Sequence, residues 1–263
     1  MGEVRDVLLT FLILNCSRTR IFGDERLNRK ETRMELGRTK RVLNAGSGAA
    51  IGALHSAFDS SVWTEVRIDV DPRATPDLIG SISDMRSVVA DGSFDAIWSS
   101  HCIEHLYDHE VPPALAEFRR VLTDDGFAVI SCPNLDAVAR LLVSEDIESV
   151  VYLSPAGPIR LLDMIFGHSL SIQSGHIHMA HGTGFTADRL GRLALSAGFA
   201  EARVLEGENY DLWAVLMMPK ADVPALASAF DGTPIGRLFS GHLPPAPAAL
   251  DAIRRKRVRI LRT

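Results

Sequence analysis

The sequence predicts an α/β fold: a doubly wound, mainly parallel seven-stranded sheet whose last strand runs antiparallel. Three observations predict it. From position 41, short apolar runs alternate with amphipathic stretches of helical period. A glycine turn lies in the stretch VLNAGSGAAIG, 42–52, directly after the first apolar run. Two strand-like runs then follow the last helix, and the second of them, LWAVLMMP, suits antiparallel pairing.

Each element has its own signal. Arg41–Ala45 reads as the first strand, and Gly46, Ser47 and Gly48 carry the chain through a turn too sharp for a bulky Cβ. Such a turn, followed by small residues suited to opening a helix, aims backbone N–H groups and a helix N-terminus at a ligand. The dinucleotide fingerprint requires Gly or Ala at position 51, where Ile51 stands. Val66–Val70 is the second strand, Asp77–Ile82 a short third, Phe94–Ser99 the fourth and Phe127–Cys132 the fifth. Between the last two, residues 112–122 start with prolines and place Leu115, Phe118, Val121 and Leu122 on one helical face. LDAVARLLV, 135–143, is helical by period and leads into a glycine- and histidine-rich stretch from Gly167 to Gly184. A helix at 185–199 has Thr186 as N-cap and Gly198 as its close. ARVLE and LWAVLMMP complete the sheet, and the Ala/Pro-rich stretch 221–253 reads as irregular.

Composition limits the partners. The 263 residues carry a net charge of −5, divided as +4 over 1–41, −15 over 42–253 and +6 over the last ten residues. A body this acidic is a poor match for a phosphate backbone, which argues against nucleic acid as substrate. The basic tail suits a solvated terminus, or contact with an anionic surface. Three widely spaced cysteines without a CxxC pair point to a reducing, cytoplasmic setting and away from a cysteine zinc site. The apolar run VLLTFLIL, 7–14, is too short to span roughly 30 Å of hydrocarbon. The expected organisation is a peripheral extension, 1–33, a main domain, 34–218, with a lid-like insert at about 135–184, and an irregular basic tail, 219–263. Removal of 1–33 is expected to leave the fold intact.

VLNAGSG, RIDVDP and the stretch DGSFDAIWSSHCIEHLYDHEVPPALAEFRRVLTDDGFAVISCPN, in this order and spacing, resemble the class I S-adenosylmethionine-dependent methyltransferases. The likeness is to the Rossmann-like bacterial branch with a Glu-His pair after the fourth strand, and it covers about residues 40–218. It implies S-adenosyl-L-methionine as cofactor and O- or N-methylation of a small-molecule or glycan acceptor. In the family's glycine pattern, acidic-x-Gly-x-Gly-x-Gly, Asn44 replaces the acid and Ala50 the third glycine. The resemblance implies a cofactor site from Asn44, Ala45, Gly46, Ser47, Gly48, Asp69, Val70, Asp84, Met85, Ser99 and Ser100. Within it, Asp69 takes the ribose and Asp84-Met85 the adenine.

SSHCIEHLYDHE, 99–110, is the densest polar cluster at a strand's carboxyl end, where ligands sit in open α/β sheets. His105 is the first candidate for a general base, with Glu104 and His101 beside it, because an imidazole titrates near neutrality. The same Glu-His pair also suits a purely structural tie between strand and helix. His176, His178 and His181 invite a metal, since alternate residues of a strand share a side. No acidic residue accompanies them in GHIHMAHGTGF, so no metal is expected and a polar, substrate-facing lid is the favoured role. The competing functions are a non-catalytic cofactor-binding scaffold and a nicotinamide-dependent oxidoreductase.

Overall fold

The computed structural model describes residues 39–49, 54–154 and 156–240. The extension 1–33, the basic tail, Ala50 and Ile51 lie outside them. The chain order is β1 (Lys40–Ala45), β2 (Trp63–Asp69), β3 (Leu78–Ile79), β4 (Phe94–Ser100), α1 (Val111–Val121) and β5 (Leu122–Pro133). Then come α2 (Leu135–Ser144), β6 (Val150–Ser154), β7 (Gly157–Arg160), α3 (Leu161–Phe166), α4 (Ser169–Gln173) and α5 (Ala187–Ser196). β8 (Glu201–Glu206), β9 (Asp211–Met217) and α6 (Val223–Ala229) finish it.

Seven strands form one sheet in the order β3-β2-β1-β4-β5-β9-β8. β1 to β5 pair in parallel, and β9 inserts antiparallel to both β5 and β8. Period-two alternation divides the strand side chains between two apolar layers. Leu43, Ala45, Ile130, Cys132, Leu212 and Ala214 join one layer, and Val42, Trp98, Phe127, Val129, Val215 and Met217 the other.

The first layer is covered by α1 and α5. In α1 the buried positions Val111, Ala114, Leu115, Phe118 and Val121 recur at helical spacing, with prolines in its first turn. Burying side chains the size of Leu115 and Phe118 contributes about 1.5–3 kcal/mol each. α5 starts where the Thr186 side chain accepts from the Arg189 N–H at 3.2 Å, and it is followed by Gly198 at φ +94°.

The second layer is covered differently from expectation. Residues 54–62, downstream of the glycine turn, form successive turns such as Phe58 N–H to His55 O at 2.9 Å, and no helix. Residues 221–240 are not irregular. Asp222 caps α6 by accepting from the Ala225 N–H at 3.0 Å, and Leu226, Phe230, Ile235 and Leu238 are buried against Phe58, Trp98 and Phe127. The insert between β5 and α5 consists of α2, the β6–β7 hairpin, α3 and α4, with its own small core of Val138, Ile159, Leu161 and Met164. Among the described residues no helix is long and apolar enough to cross a membrane.

Candidate active site

A cavity of about 720 Å³ opens at the carboxyl ends of β1, β2 and β4. This is where parallel α/β sheets place ligands, because the loops leaving adjacent strands diverge there. Gly46, Gly48, Asp69, Val70, His101 and His105 line it, and His176, His178 and His181 close it from the insert.

The glycine turn is held from within the protein. Gly46 and Ser47 donate their N–H groups to Ile68 O at 2.9 and 3.2 Å, and Gly48 donates to Asp69 Oδ2 at 2.8 Å. Both glycines have positive φ, +70° and +57°. A Cβ on Gly46 would lie 2.1 Å from Cys102 Sγ, so the turn abuts the loop after β4. The N–H groups of Gly46, Ser47 and Gly48 are therefore not free for a ligand: Ile68 and Asp69 of β2 take them. Asp69 also accepts from the Asp71 N–H at 2.8 Å. A carboxylate has about four acceptor positions, so roughly two remain for a ligand.

Seven of the sequence-predicted cofactor residues do not line the cavity. Asn44 turns to the neighbouring strand and donates to Glu65 Oε1 at 2.7 Å, and Ala45 is in the core. The Ser47 hydroxyl turns back to its own loop, donating to Gly48 O at 3.3 Å. Asp84 pairs with Arg86 on the surface, and Met85 is fully buried in the core. The reason is register: β3 ends at Ile79, so the sheet edge falls on Gly80, Ser81 and Ile82, and those three line the cavity instead. β4 likewise runs one residue further than predicted. Ser99 is buried in the strand, Ser100 hydrogen-bonds Ser131 at 2.9 Å, and the rim begins at His101. Sequence could have found Ser81 and Ile82 had the third strand been ended at the glycine.

His101 has φ +49°, a left-handed conformation that costs a non-glycine residue about 1–2 kcal/mol. Its Nδ1 lies 3.3 Å from Oε1 of Glu104, which is buried behind it. Burial opposes charge on His101, yet the Glu104 carboxylate outweighs it and holds the imidazole above its ordinary value. For Glu104 burial pushes upward, and the imidazoles of His101, His105 and His181 bring the carboxyl below its usual range. Burial holds His181 low, which favours its neutral form. Burial, with the charges of Glu104 and Asp69, pushes the Cys102 thiol up to about 12.

The insert is fastened over this floor. Gly182 and Thr183 donate N–H groups to Glu104 O at 2.8 and 3.2 Å, and Arg73 reaches Gly175 O at 3.3 Å while chelating Asp71. His176 and His178 do not share the side of a strand: Ile177–Met179 is a 3-10 turn. His176 approaches Asp71, at 3.9 Å, whereas His181 packs on His105, ring centroids 5.0 Å apart.

The sequence of residues 43–130 matches the family described as a methyltransferase domain. No curated protein matches the chain. Among solved structures it is similar to a Nostoc punctiforme protein assigned as an O-methyltransferase, at 12% identity and TM-score 0.45. The match covers 69% of this chain and spans about half, 53%, of that one. A TehB-like SAM-dependent methyltransferase of Corynebacterium glutamicum is 19% identical, TM-score 0.42, over 69% of this chain and 82% of that. The Burkholderia thailandensis 1,6-didemethyltoxoflavin-N1-methyltransferase, with bound S-adenosylhomocysteine, is 17% identical, TM-score 0.41, over 71% and 73%. The likeness to a methyltransferase domain thus spans residues 43–130, from β1 into β5, the part of the sheet that carries the cavity.

Proposed function

We propose that this protein methylates an oxygen or nitrogen of a small molecule or glycan end, with His101 as the group that takes the acceptor's proton. The observation that carries the reading is His101 itself, in strained backbone at the end of β4, facing the cavity in front of a buried carboxylate. Strain of this kind persists only where surrounding structure imposes it, and it concentrates at functional sites.

The residues present fit the cofactor. Asp69 offers its unused acceptor positions to the ribose hydroxyls, and Gly48, whose missing Cβ meets open space, lets the amino-acid end approach the backbone. Ile82 offers an apolar face to the purine, with Ser81 as its polar neighbour. When bound, S-adenosylmethionine supplies a sulfonium-activated methyl group. His101 accepts the proton that the acceptor's hydroxyl or amine releases, and Glu104 offsets the charge of the resulting imidazolium. His105 is less suited than the sequence indicates, because its Nδ1 faces the neutral Ala180 O, at 3.1 Å, and not a carboxylate that would offset the charge of an imidazolium. His176 and His178 contact the acceptor from above. A cavity of about 720 Å³ is within the range for small-molecule sites, about 300–1,000 Å³, which supports a small acceptor or the end of a chain.

Calorimetry with S-adenosylmethionine tests the cofactor half. Gly46→Val and Asp69→Ala are expected to abolish binding, and undiminished affinity in both defeats the assignment. For the proton, His101→Gln is expected to lower kcat by roughly 10²–10⁴-fold with cofactor affinity kept. Formation of S-adenosylhomocysteine on turnover separates an enzyme from a non-catalytic scaffold.

A further inference from the structure

We propose that Glu104, His105 and His181 bind one divalent first-row metal ion, of the zinc or cobalt kind, in the wall of the cavity. Each offers a ligand atom, and these atoms all lie within 4.8 Å of one another. A tetrahedral ion with bonds of about 2.1 Å holds its ligands roughly 3.4 Å apart, so the side chains close in only slightly to reach it. Glu104 and His105 come from the 3-10 turn after β4, and His181 from the returning end of the insert. The hydrogen bonds from Gly182 and Thr183 to Glu104 O fix these two segments together.

Two further observations point to a cation. Glu104 is 1% exposed, and neither of its carboxylate oxygens has a hydrogen-bond partner; the His101 imidazole stands 3.3 Å from Oε1, which leaves Oε2 open to a second positive group. A buried carboxylate is costly in proportion to the acceptor positions left unfilled. Both histidines are also set in the metal-binding tautomer. Nδ1 of His105 faces Ala180 O at 3.1 Å and Nδ1 of His181 faces Met164 O at 3.2 Å. A carbonyl only accepts, so in each neutral ring Nδ1 carries the hydrogen and Nε2 keeps a bare lone pair. Ligating histidines are oriented in this way in metal sites generally. Two imidazoles and one carboxylate suit a borderline first-row ion better than calcium or magnesium, which prefer oxygen. A pocket of about 20 Å³, room for one water molecule, touches Glu104 and His181. His105 and His181 line the main cavity, so an open coordination position would face it. Binding of the ion does not depend on the methyltransferase reading; its use, to hold a donor atom of the acceptor, does.

The test is titration of tag-free, chelator-treated full-length protein with Co²⁺ and Zn²⁺, followed by calorimetry and by the visible absorption of Co²⁺. One equivalent is expected, with His105→Ala and His181→Ala each weakening it at least tenfold and the His176→Ala/His178→Ala double variant unchanged. Glu104→Gln is expected to lose the site as well; should it fail to fold, His181→Ala on the insert still decides. Absence of saturable binding, or equal affinity in wild type and His181→Ala, overturns the site. S-adenosylmethionine titrations of the same preparations separate the two readings, since cofactor binding without metal binding defeats only this one.

Discussion

At Gly46 two constraints meet. The backbone is left-handed, and the Cβ direction is filled by Cys102 at 2.1 Å to Sγ and 2.7 Å to Cβ. Gly46→Ala is therefore expected to cost the left-handed penalty of about 1–2 kcal/mol plus the clash. In a Cys102→Gly background the clash vanishes and only the first part remains, because the Cys102 Cα is 3.9 Å away. Chemical denaturation of the four proteins of this cycle measures the coupling, and additive costs would exclude the contact. The same thiol, raised to about 12, stays protonated at neutral pH. Alkylation by iodoacetamide at pH 8 is expected to be far slower at Cys102 than at an ordinary thiol of pKa about 8.5. Peptide mapping that found Cys102 labelled as fast as free cysteine would contradict it. The glycines and Asp69 were legible in the sequence because turn chemistry and strand ends are local signals. The places of Ser81 and Ile82 were not, nor was the 3-10 turn that separates His176 from His178, since a register error of one to three residues or such a turn redirects a side chain completely.

At the scale of elements, the insert depends on Asp163. This carboxylate, in the first turn of α3, accepts from the Arg160 N–H at 3.0 Å, the Ser169 N–H at 3.0 Å, and the side chains of both residues. Burial pushes it up, but these bonds prevail and hold it well below the usual carboxylate range. A depressed folded-state value means the stability is fully present above the unfolded pKa, about 3.9, and is lost as pH falls through the folded value. The protection of amides over residues 135–184, taken relative to their intrinsic exchange rates, is thus expected to be flat from pH 8 to 5 and to fall in strong acid. Asp163→Asn should remove that acid step and cost roughly 1–3 kcal/mol at neutral pH, since one acceptor becomes a donor. An unchanged acid profile in the variant would show that the insert is held by something else. The helical periods of α1, α2 and α5 were readable because each buries a single face. α6 was missed, although Asp222 before Val223 and Pro224 is a helix-start signal. Its Ala/Pro composition hid a packed element.

For the whole molecule, the sheet's second layer rests on aromatic packing. Phe230 stacks edge-on against Phe58 and Phe127, at 6.5 and 6.1 Å between centroids, and is 1% exposed. Phe230→Ala is expected to lower stability by about 3–5 kcal/mol, a value typical of a large buried ring. A loss under 1 kcal/mol in denaturant titrations would mean that residues 223–240 are only loosely attached. The mainly parallel sheet with an antiparallel last strand needed no more than alternating runs and two strands after the last helix; the order β3-β2-β1-β4-β5-β9-β8 came from the structure. What periodicity did not disclose is that the turns of residues 54–62 and helix α6 pack on this face.

Arg73 grips the Asp71 carboxylate with its guanidinium and lends one hydrogen bond to Gly175 across the opening. It works as a clasp of moderate strength, exposed to solvent and so weakened by dissolved ions. Raised ionic strength is expected to loosen it, read as faster hydrogen exchange at Gly175 and His176 in salt than in dilute buffer. The loop that follows Asp69 thereby ties the rim of the sheet to the insert on the opposite side of the cavity.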